Sequence, residues 1–354
     1  MQKSTYICVF LFTIALLNVP AFGECNYNDY RDWMDKGKDF EDKWALDLAV
    51  SCFDKAIESI SDCIGAKEER ADAYGWKGWI LFESGEYDNA IAAYDKALAN
   101  KKVDWIWLSK GRALFSLNRY AEAVSAYDEA IALNPVDKRF WYHKGIALGE
   151  MDRYAEAIDA LDNALSIDST YKDVWLRKGI IYERWGKNQS ALDAYDMENE
   201  ISPSSTALMS KADLQIKMGQ YDGALESVEK CIEQNPNSTA FWRKKGDIFS
   251  MQSKYNQAIE AFNESIKINK NDSLAWYKKG NDLHNLTLYK EAVESYDKVI
   301  EISRMYIIIL DAQEDAEVVK SAKEGWTMQI ETALEAKNKT LAMLGMNPPV
   351  NATI

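Results

Sequence analysis

Large and small residues alternate along this chain at a fixed interval. Trp33, Tyr74, Trp107, Trp141, Trp175, Leu208, Trp242 and Trp276 each stand four residues before a small one: Gly37, Gly78, Gly111, Gly145, Gly179, Ala212, Gly246 and Gly280. Twelve residues after each small residue comes alanine: Ala49, Ala90, Ala123, Ala157, Ala191, Ala224, Ala258 and Ala292. The small residues are spaced by 41, 33, 34, 34, 33, 34 and 34 residues, which divides the chain into eight units at 30–63, 71–104, 104–137, 138–171, 172–205, 205–238, 239–272 and 273–306. Each unit predicts two antiparallel helices, A and B, because a small residue on each lets the two backbones approach closely. Tyr87, Tyr120, Tyr154, Tyr221, Tyr255 and Tyr289 recur where helix B opens. An aromatic at fixed spacing in stacked units is a packing residue, since no unit buries its apolar face without its neighbour. After Tyr306 the pattern stops, yet Ile307, Ile308, Ile309, Leu310, Val318, Val319, Trp326, Ile330, Leu334, Leu341 and Leu344 keep helical spacing. Two further capping helices are expected over 307–346, then a frayed tail at 347–354.

Numbered within a unit, Trp, Gly and Ala fall at positions 4, 8 and 20; a second alanine at 27 (Ala56, Ala97, Ala130, Ala164) and proline at 32 (Pro135, Pro203, Pro236) complete the pattern. From Tyr30 to Tyr306 the chain resembles the tetratricopeptide-repeat family. The resemblance implies an all-α, right-handed superhelical solenoid of about eight helix-turn-helix units with a C-terminal helical cap. Three places depart from the pattern: Leu208 with Ala212 in the sixth unit, Glu198 at position 27 of the fifth, and about seven extra residues around Gly65–Arg70. By the same resemblance, positions 2, 5, 9 and 12 of helix A line a concave wall. Trp79, Phe82, Trp105, Leu108, Arg112, Phe115, Arg139, Tyr142, Ile146, Leu176 and Ile180 stand there and are read as a peptide-binding groove, being apolar and aromatic where a solvent-facing wall is expected. The competing reading is that winding buries part of this wall in the core. Towards the C-terminus the row turns polar, with Arg243, Asp247, Ser250, Asn281 and His284. No unit carries Lys at position 5 together with Asn at position 9, so the family's carboxylate grip on chaperone tails is not supported.

Composition narrows the function further. Twelve Trp and 19 Tyr demand a packed fold, and the net charge of −14 repels phosphate backbones, so nucleic acid is not an expected partner. Lys3 precedes an uncharged run from Ser4 to Gly23 that reads as a signal peptide, 1–23, cleaved after Gly23. Pro20 interrupts the run before the ~20 residues that a spanning helix needs; an uncleaved signal anchor is the alternative. A secreted or cell-envelope protein without a stable membrane span is therefore expected.

In an oxidising exterior Cys25, Cys52, Cys63 and Cys231 are free to pair. Cys52 and Cys63 on one helix would stand about 16 Å apart, too far for a bridge, which leaves Cys25 with Cys52 or Cys63 as the preferred disulfide. Asn-x-Ser/Thr sequons at Asn188, Asn237, Asn263, Asn271, Asn285, Asn338 and Asn351 are glycosylation candidates. Only His143 and His284 are present, with no HExxH, no cysteine pair at metal spacing and no phosphate-cradling loop. No enzyme, cofactor or metal site is predicted. The expected role is a non-catalytic scaffold for a protein or peptide ligand, acting as a monomer or weak oligomer. The alternative is an envelope-associated spacer, or a self-assembling surface protein without a groove ligand.

Overall fold

The computed structural model describes residues 26–42, 44–61, 63, 65–311 and 317–346. Among these residues the chain is all helix and turn. Four A/B pairs lie in a first compact unit that ends at Val174. They are α1 (Tyr27–Asp42) with α2 (Leu46–Ser59), α3 (Lys67–Glu83) with α4 (Tyr87–Asn100), α5 (Asp104–Ser116) with α6 (Tyr120–Leu133), and α7 (Lys138–Glu150) with α8 (Tyr154–Ile167). The second compact unit begins at Trp175. It comprises α9 (Val174–Arg184) with α10 (Asn188–Ile201), α11 (Ser205–Lys217) with α12 (Tyr221–Gln234), α13 (Thr239–Met251) with α14 (Tyr255–Ile268), α15 (Ser273–Asn285) with α16 (Tyr289–Asp311), and α17 (Glu317–Met343). The described helices thus form a solenoid of paired units with a final capping helix.

Side-chain volumes explain the small residue at position 8. A Cβ on Gly78 would lie 2.6 Å from the Tyr94 ring, on Gly111 2.4 Å from Tyr127, on Gly246 2.4 Å from Phe262 and on Gly280 2.7 Å from Tyr296. Each ring stands at position 24 on the partner helix B and is buried. Glycine therefore makes room for a ring as well as for a backbone. At Gly145 the position-24 residue is Leu161, and the Ala157 carbonyl also stands only 3.0 Å away, so there the backbone approach expected from the sequence operates too. The sixth unit obeys the same rule: its Ala212 shares a core cluster with Val228, whose small side chain at position 24 leaves space for the extra methyl.

The turn between A and B places position 15 in the left-handed region throughout, at Trp44, Gly85, Asn118, Asp152, Gly186, Gly219, Ser253 and Thr287. That conformation reverses the chain tightly at the end of each helix A.

Between units a second device recurs. The lysine at position 7 of helix A reaches an acid at position 25 of the preceding helix B. Lys77–Asp54, Lys110–Asp95, Lys144–Asp128, Lys211–Asp196 and Lys245–Glu229 pair at 2.5–2.8 Å. In the first unit, where no helix B precedes among the described residues, Lys36 turns to Asp32 on its own helix. Such exposed pairs contribute about 0–1 kcal/mol each, so they set register more than stability. The eighth unit breaks the series: Lys279 corresponds to Asn263, and burial lowers its amine pKa.

Two departures from the repeat pattern are accommodated by polar contacts. Glu198 is buried and its carboxylate accepts from the Leu176 N–H at 3.1 Å, in the first turn of α9. The extra residues before α3 are tied by Arg70, whose Nη1 donates to the carbonyls of Ile60 and Cys63 and whose Nε donates to Asn100. Cys63 is disulfide-bonded, and Cys52 and Cys231 are buried free thiols. Cys25 lies outside the described residues, as do the proposed leader 1–23, Asn351 and the tail 347–354.

Beyond Tyr306 the chain departs from the expected pair of capping helices. Helix α16 runs on without interruption to Asp311, because nothing between Ile302 and Ile309 breaks a helix, and one separate helix, α17, succeeds it. Ile330 and Ala333 of α17 are buried with Val299 and Ile300 of α16, and Trp276, Tyr277 and Leu334 pack around them.

Candidate functional site

The A helices of the first unit carry most of the residues expected to line a groove. Their positions repeat every helical turn, so one face of α3, α5 and α7 presents them together. On α3, Trp79 and Phe82 stack with ring centroids 6.1 Å apart and planes at 27°. Arg112 of α5 lays its guanidinium across both, 5.5 Å from the Trp79 ring and 4.9 Å from Phe82. Glu41 of α1 accepts the Trp79 indole N–H at 2.8 Å. These four side chains, from three successive A helices, form one cluster.

Helix B buttresses it. Tyr87, at the opening of α4, packs on Phe82 with centroids 5.5 Å apart, and Tyr120, at the opening of α6, packs on Phe115 at 5.1 Å. In the second and third units the position-17 tyrosine therefore holds the position-12 ring of its own unit. His284 and Tyr289 in the eighth unit repeat the arrangement at 5.2 Å.

Other predicted residues separate. Trp105 leans on the backbone of Gly75, where a Cβ would lie 2.6 Å from its ring, and sits 6.4 Å from Trp76. Tyr142 meets Tyr171 at 5.4 Å and His143 at 5.3 Å. Arg139 is exposed and bound to Asp137, whose carboxyl it holds below its ordinary pKa. Ile146 is half-buried. Leu108 is buried, at 7% exposure, and is a core residue rather than a groove residue: position 5 of α5 faces the packed interior. In the second compact unit, Leu176 and Ile180 pack against a core cluster of Ala191, Leu192, Tyr195, Ala207 and Leu214.

Polar groups dominate the corresponding row further on. Lys244 pairs with Asp213 and Lys278 with Asp247, both at 2.6 Å. Asp282 is buried at position 10, where earlier units carry Ile80, Ile181 or Ile248, and it accepts from Ser250 Oγ at 2.5 Å. Burial pushes its pKa up to about 6, with the Ser250 hydrogen bond and Lys278 opposing and Asp247 adding.

Both histidines serve packing. His143 stacks on Tyr127 at 5.8 Å, and His284 Nδ1 lies 2.8 Å from Thr340 Oγ1 on α17. That hydroxyl donates to the Ala336 carbonyl, so it is His284 that donates to it. Among the described residues no group of His, Cys, Asp and Glu could hold a metal ion, and no helix is long and apolar enough to cross a membrane. The sequon asparagines Asn237, Asn271 and Asn285 are exposed; Asn188, Asn263 and Asn338 are half-buried. Two sequon hydroxyls have packing roles of their own: Ser265 bonds the Asp272 carboxylate and the Thr239 carbonyl, and Thr340 bonds as above.

The repeat is shared with known proteins. A tetratricopeptide-repeat profile matches residues 46–104, 108–172, 144–206 and 209–273, and a second tetratricopeptide-repeat profile matches 274–304. No curated protein matches the chain. Among solved structures, a tetratricopeptide repeat protein from Parabacteroides merdae ATCC 43184 is 18% identical, covering 72% of this chain and 99% of its own, with a TM-score of 0.53. PilF from Pseudomonas aeruginosa is 18% identical over 63% of this chain and 98% of its own, with a TM-score of 0.49. YrrB, described as a TPR protein with an unusual peptide-binding site, is 20% identical over 57% of this chain and 99% of its own, with a TM-score of 0.41. At 18% identity the likeness to the Parabacteroides protein speaks for the fold alone.

Proposed function

The chain belongs to the tetratricopeptide-repeat family, and from that premise we propose that it is a non-catalytic scaffold binding a peptide or protein partner along the A-helix face of its first compact unit. One observation carries the reading: Trp79, Phe82 and Phe115 are only half-buried on adjacent A helices. Rings held part-exposed by dedicated neighbours, Tyr87 and Tyr120, are rigid anchors of the kind that dominate binding energy.

Pull-down and crosslinking with the wild type and the Trp79→Ala/Phe115→Ala variant test it. A partner retained only by the wild type, at unchanged melting temperature, supports the groove. A fall in stability of about 3–5 kcal/mol places the rings in the core instead. We also propose that the protein works outside the cytoplasm, as a secreted or envelope protein, on the strength of the apolar run after Lys3 and the seven sequons. Native protein whose mass begins at Met1 and carries no hexosamine would refute this. A second reading, a structural spacer that assembles with itself, draws on the exposed Met305, Ile308 and Ile309 of α16. Concentration-independent sedimentation as a monomer would remove it.

A further inference from the structure

The cations on the A helices of the first compact unit differ in what they bind. Lys36, Lys77, Lys110, Lys144 and Arg139 each hold a carboxylate. Lys38 lies over Trp76 at 5.1 Å, with Asp72 near enough to feel its charge. Arg112, like Lys38, makes no ion pair among the described residues and lies over aromatic rings instead. Its guanidinium rests on the faces of Trp79 and Phe82, and the acid on that shelf, Glu41, is engaged by the Trp79 indole. Its positive charge also reaches inward, opposing the rise that burial imposes on the phenols of Tyr94 and Tyr127.

A guanidinium stacked by its face keeps its N–H edge unused, and that planar edge matches a carboxylate in a bidentate pair. Stacking also fixes the side chain before any ligand arrives, which lowers the ordering cost of binding. Whatever covers the aromatic shelf must cover this edge. An apolar segment would strand the donors, and a backbone carbonyl would satisfy a donor without neutralising the charge.

Resting on the groove reading, we infer that the occupant is a peptide segment that sets an aspartate or glutamate side chain on Arg112 and an apolar side chain against Phe115. The chain as a whole carries a net charge of −14, so this cation is a local exception that selects a carboxylate placed at one point rather than an acidic surface at large.

The test uses the full chain and short fluorescein-labelled peptides in matched pairs, Leu-Glu-Phe against Leu-Gln-Phe within one polar frame, read by anisotropy. The glutamate peptide is expected to bind the wild type roughly ten- to a hundred-fold more tightly than its glutamine twin, the range for a charge-assisted hydrogen bond. That preference should vanish in Arg112→Gln and shrink in Arg112→Lys, both at unchanged melting temperature. Equal affinity of the two peptides for the wild type overturns the inference, as does an absence of binding by any glutamate peptide. If peptides bind equally yet are lost by Trp79→Ala/Phe115→Ala, the groove stands and only the carboxylate is wrong. If that variant binds as well as the wild type, the groove reading falls too.

Discussion

Position 8 and position 24 should behave as one volume shared by two side chains. In the third repeat, Gly111→Ala places a methyl 2.4 Å from Tyr127 Cε1 and 2.7 Å from its Cδ1. Tyr127 is 1% exposed and stacks on His143 of the next repeat, so the ring has nowhere to swing. Overpacking of this kind costs about 1–3 kcal/mol. The gain in helix propensity from Gly to Ala returns about 1 kcal/mol, for a net loss of about 0–2 kcal/mol. Tyr127→Val alone empties the ring's space and should cost about 3 kcal/mol. The double variant recreates the Ala212 and Val228 combination that already stands in the sixth repeat. The new methyl should then meet no ring, and the pair should be more stable than the sum of the single effects by the overpacking relieved, about 1–3 kcal/mol. Urea titration of the four proteins gives the cycle, with hydrogen exchange at the α5 and α6 amides reporting the same site should the array unfold in stages. A coupling below about 0.5 kcal/mol would refute the shared-volume argument.

Two further perturbations concern buried groups. Asp282 has its pKa raised by burial from 3.8 to about 6, so the folded state binds its proton more tightly than the unfolded one between those values. Its stabilising contribution is present below about pH 4 and lost as pH rises through 6, at most about 3 kcal/mol. Asp282→Asn should therefore raise the urea midpoint at pH 7.5 (about 1–2 kcal/mol) and change it little at pH 4; an equal effect at both pH values would sink the assignment. Cys63→Ser should lower stability by about 2–4 kcal/mol, and a non-reducing peptide map should join the Cys63 peptide to that of Cys25. A map that leaves Cys63 as a free thiol, or that engages Cys52, contradicts it.

The repeat was legible because its strongest constraints are steric and fall on residue types that cannot substitute for one another. Gly78 or Gly280 admits no Cβ against its ring, and Ala90 or Ala292 is completely buried, so the pattern holds in every unit but the sixth, where Ala212 faces the smaller Val228. The wall was less legible because its register decides exposure only together with the neighbour. Trp105 and Leu108 share the resemblance-derived row, yet Trp105 drapes over Gly75 whereas Leu108 is buried. Arg112 could be placed on that row from the sequence, but only the structure shows its charge lying on two rings. Missed entirely was the lysine at position 7 with its acid at 25, although in four of the five pairs the two stand 15 or 16 residues apart. Charged residues on helix faces are so commonly solvated that their periodicity attracts no notice beside that of Trp and Gly.

That overlooked periodicity also explains how the array ends. Lys337 of α17 pairs with Asp297 of α16 at 2.5 Å, the same step by which Lys110 pairs with Asp95. In this register Ala333 falls at position 3, Leu334 at 4 and Thr340 at 10. Ala333 and Thr340 are fully buried, as Ala73 and Ile80 are in the second repeat. Position 8 is Asn338, with no glycine. Glycine at 8 makes room for a residue at 24 of the same unit, and no helix B succeeds α17 among the described residues to supply one. Helix α17 is thus an A helix that keeps the contact with the preceding unit and drops the contact within its own. Two separable constraints shape every repeat, and the terminal helix retains only one of them. A search by glycine must miss it, whereas a search by lysine and its acid finds it.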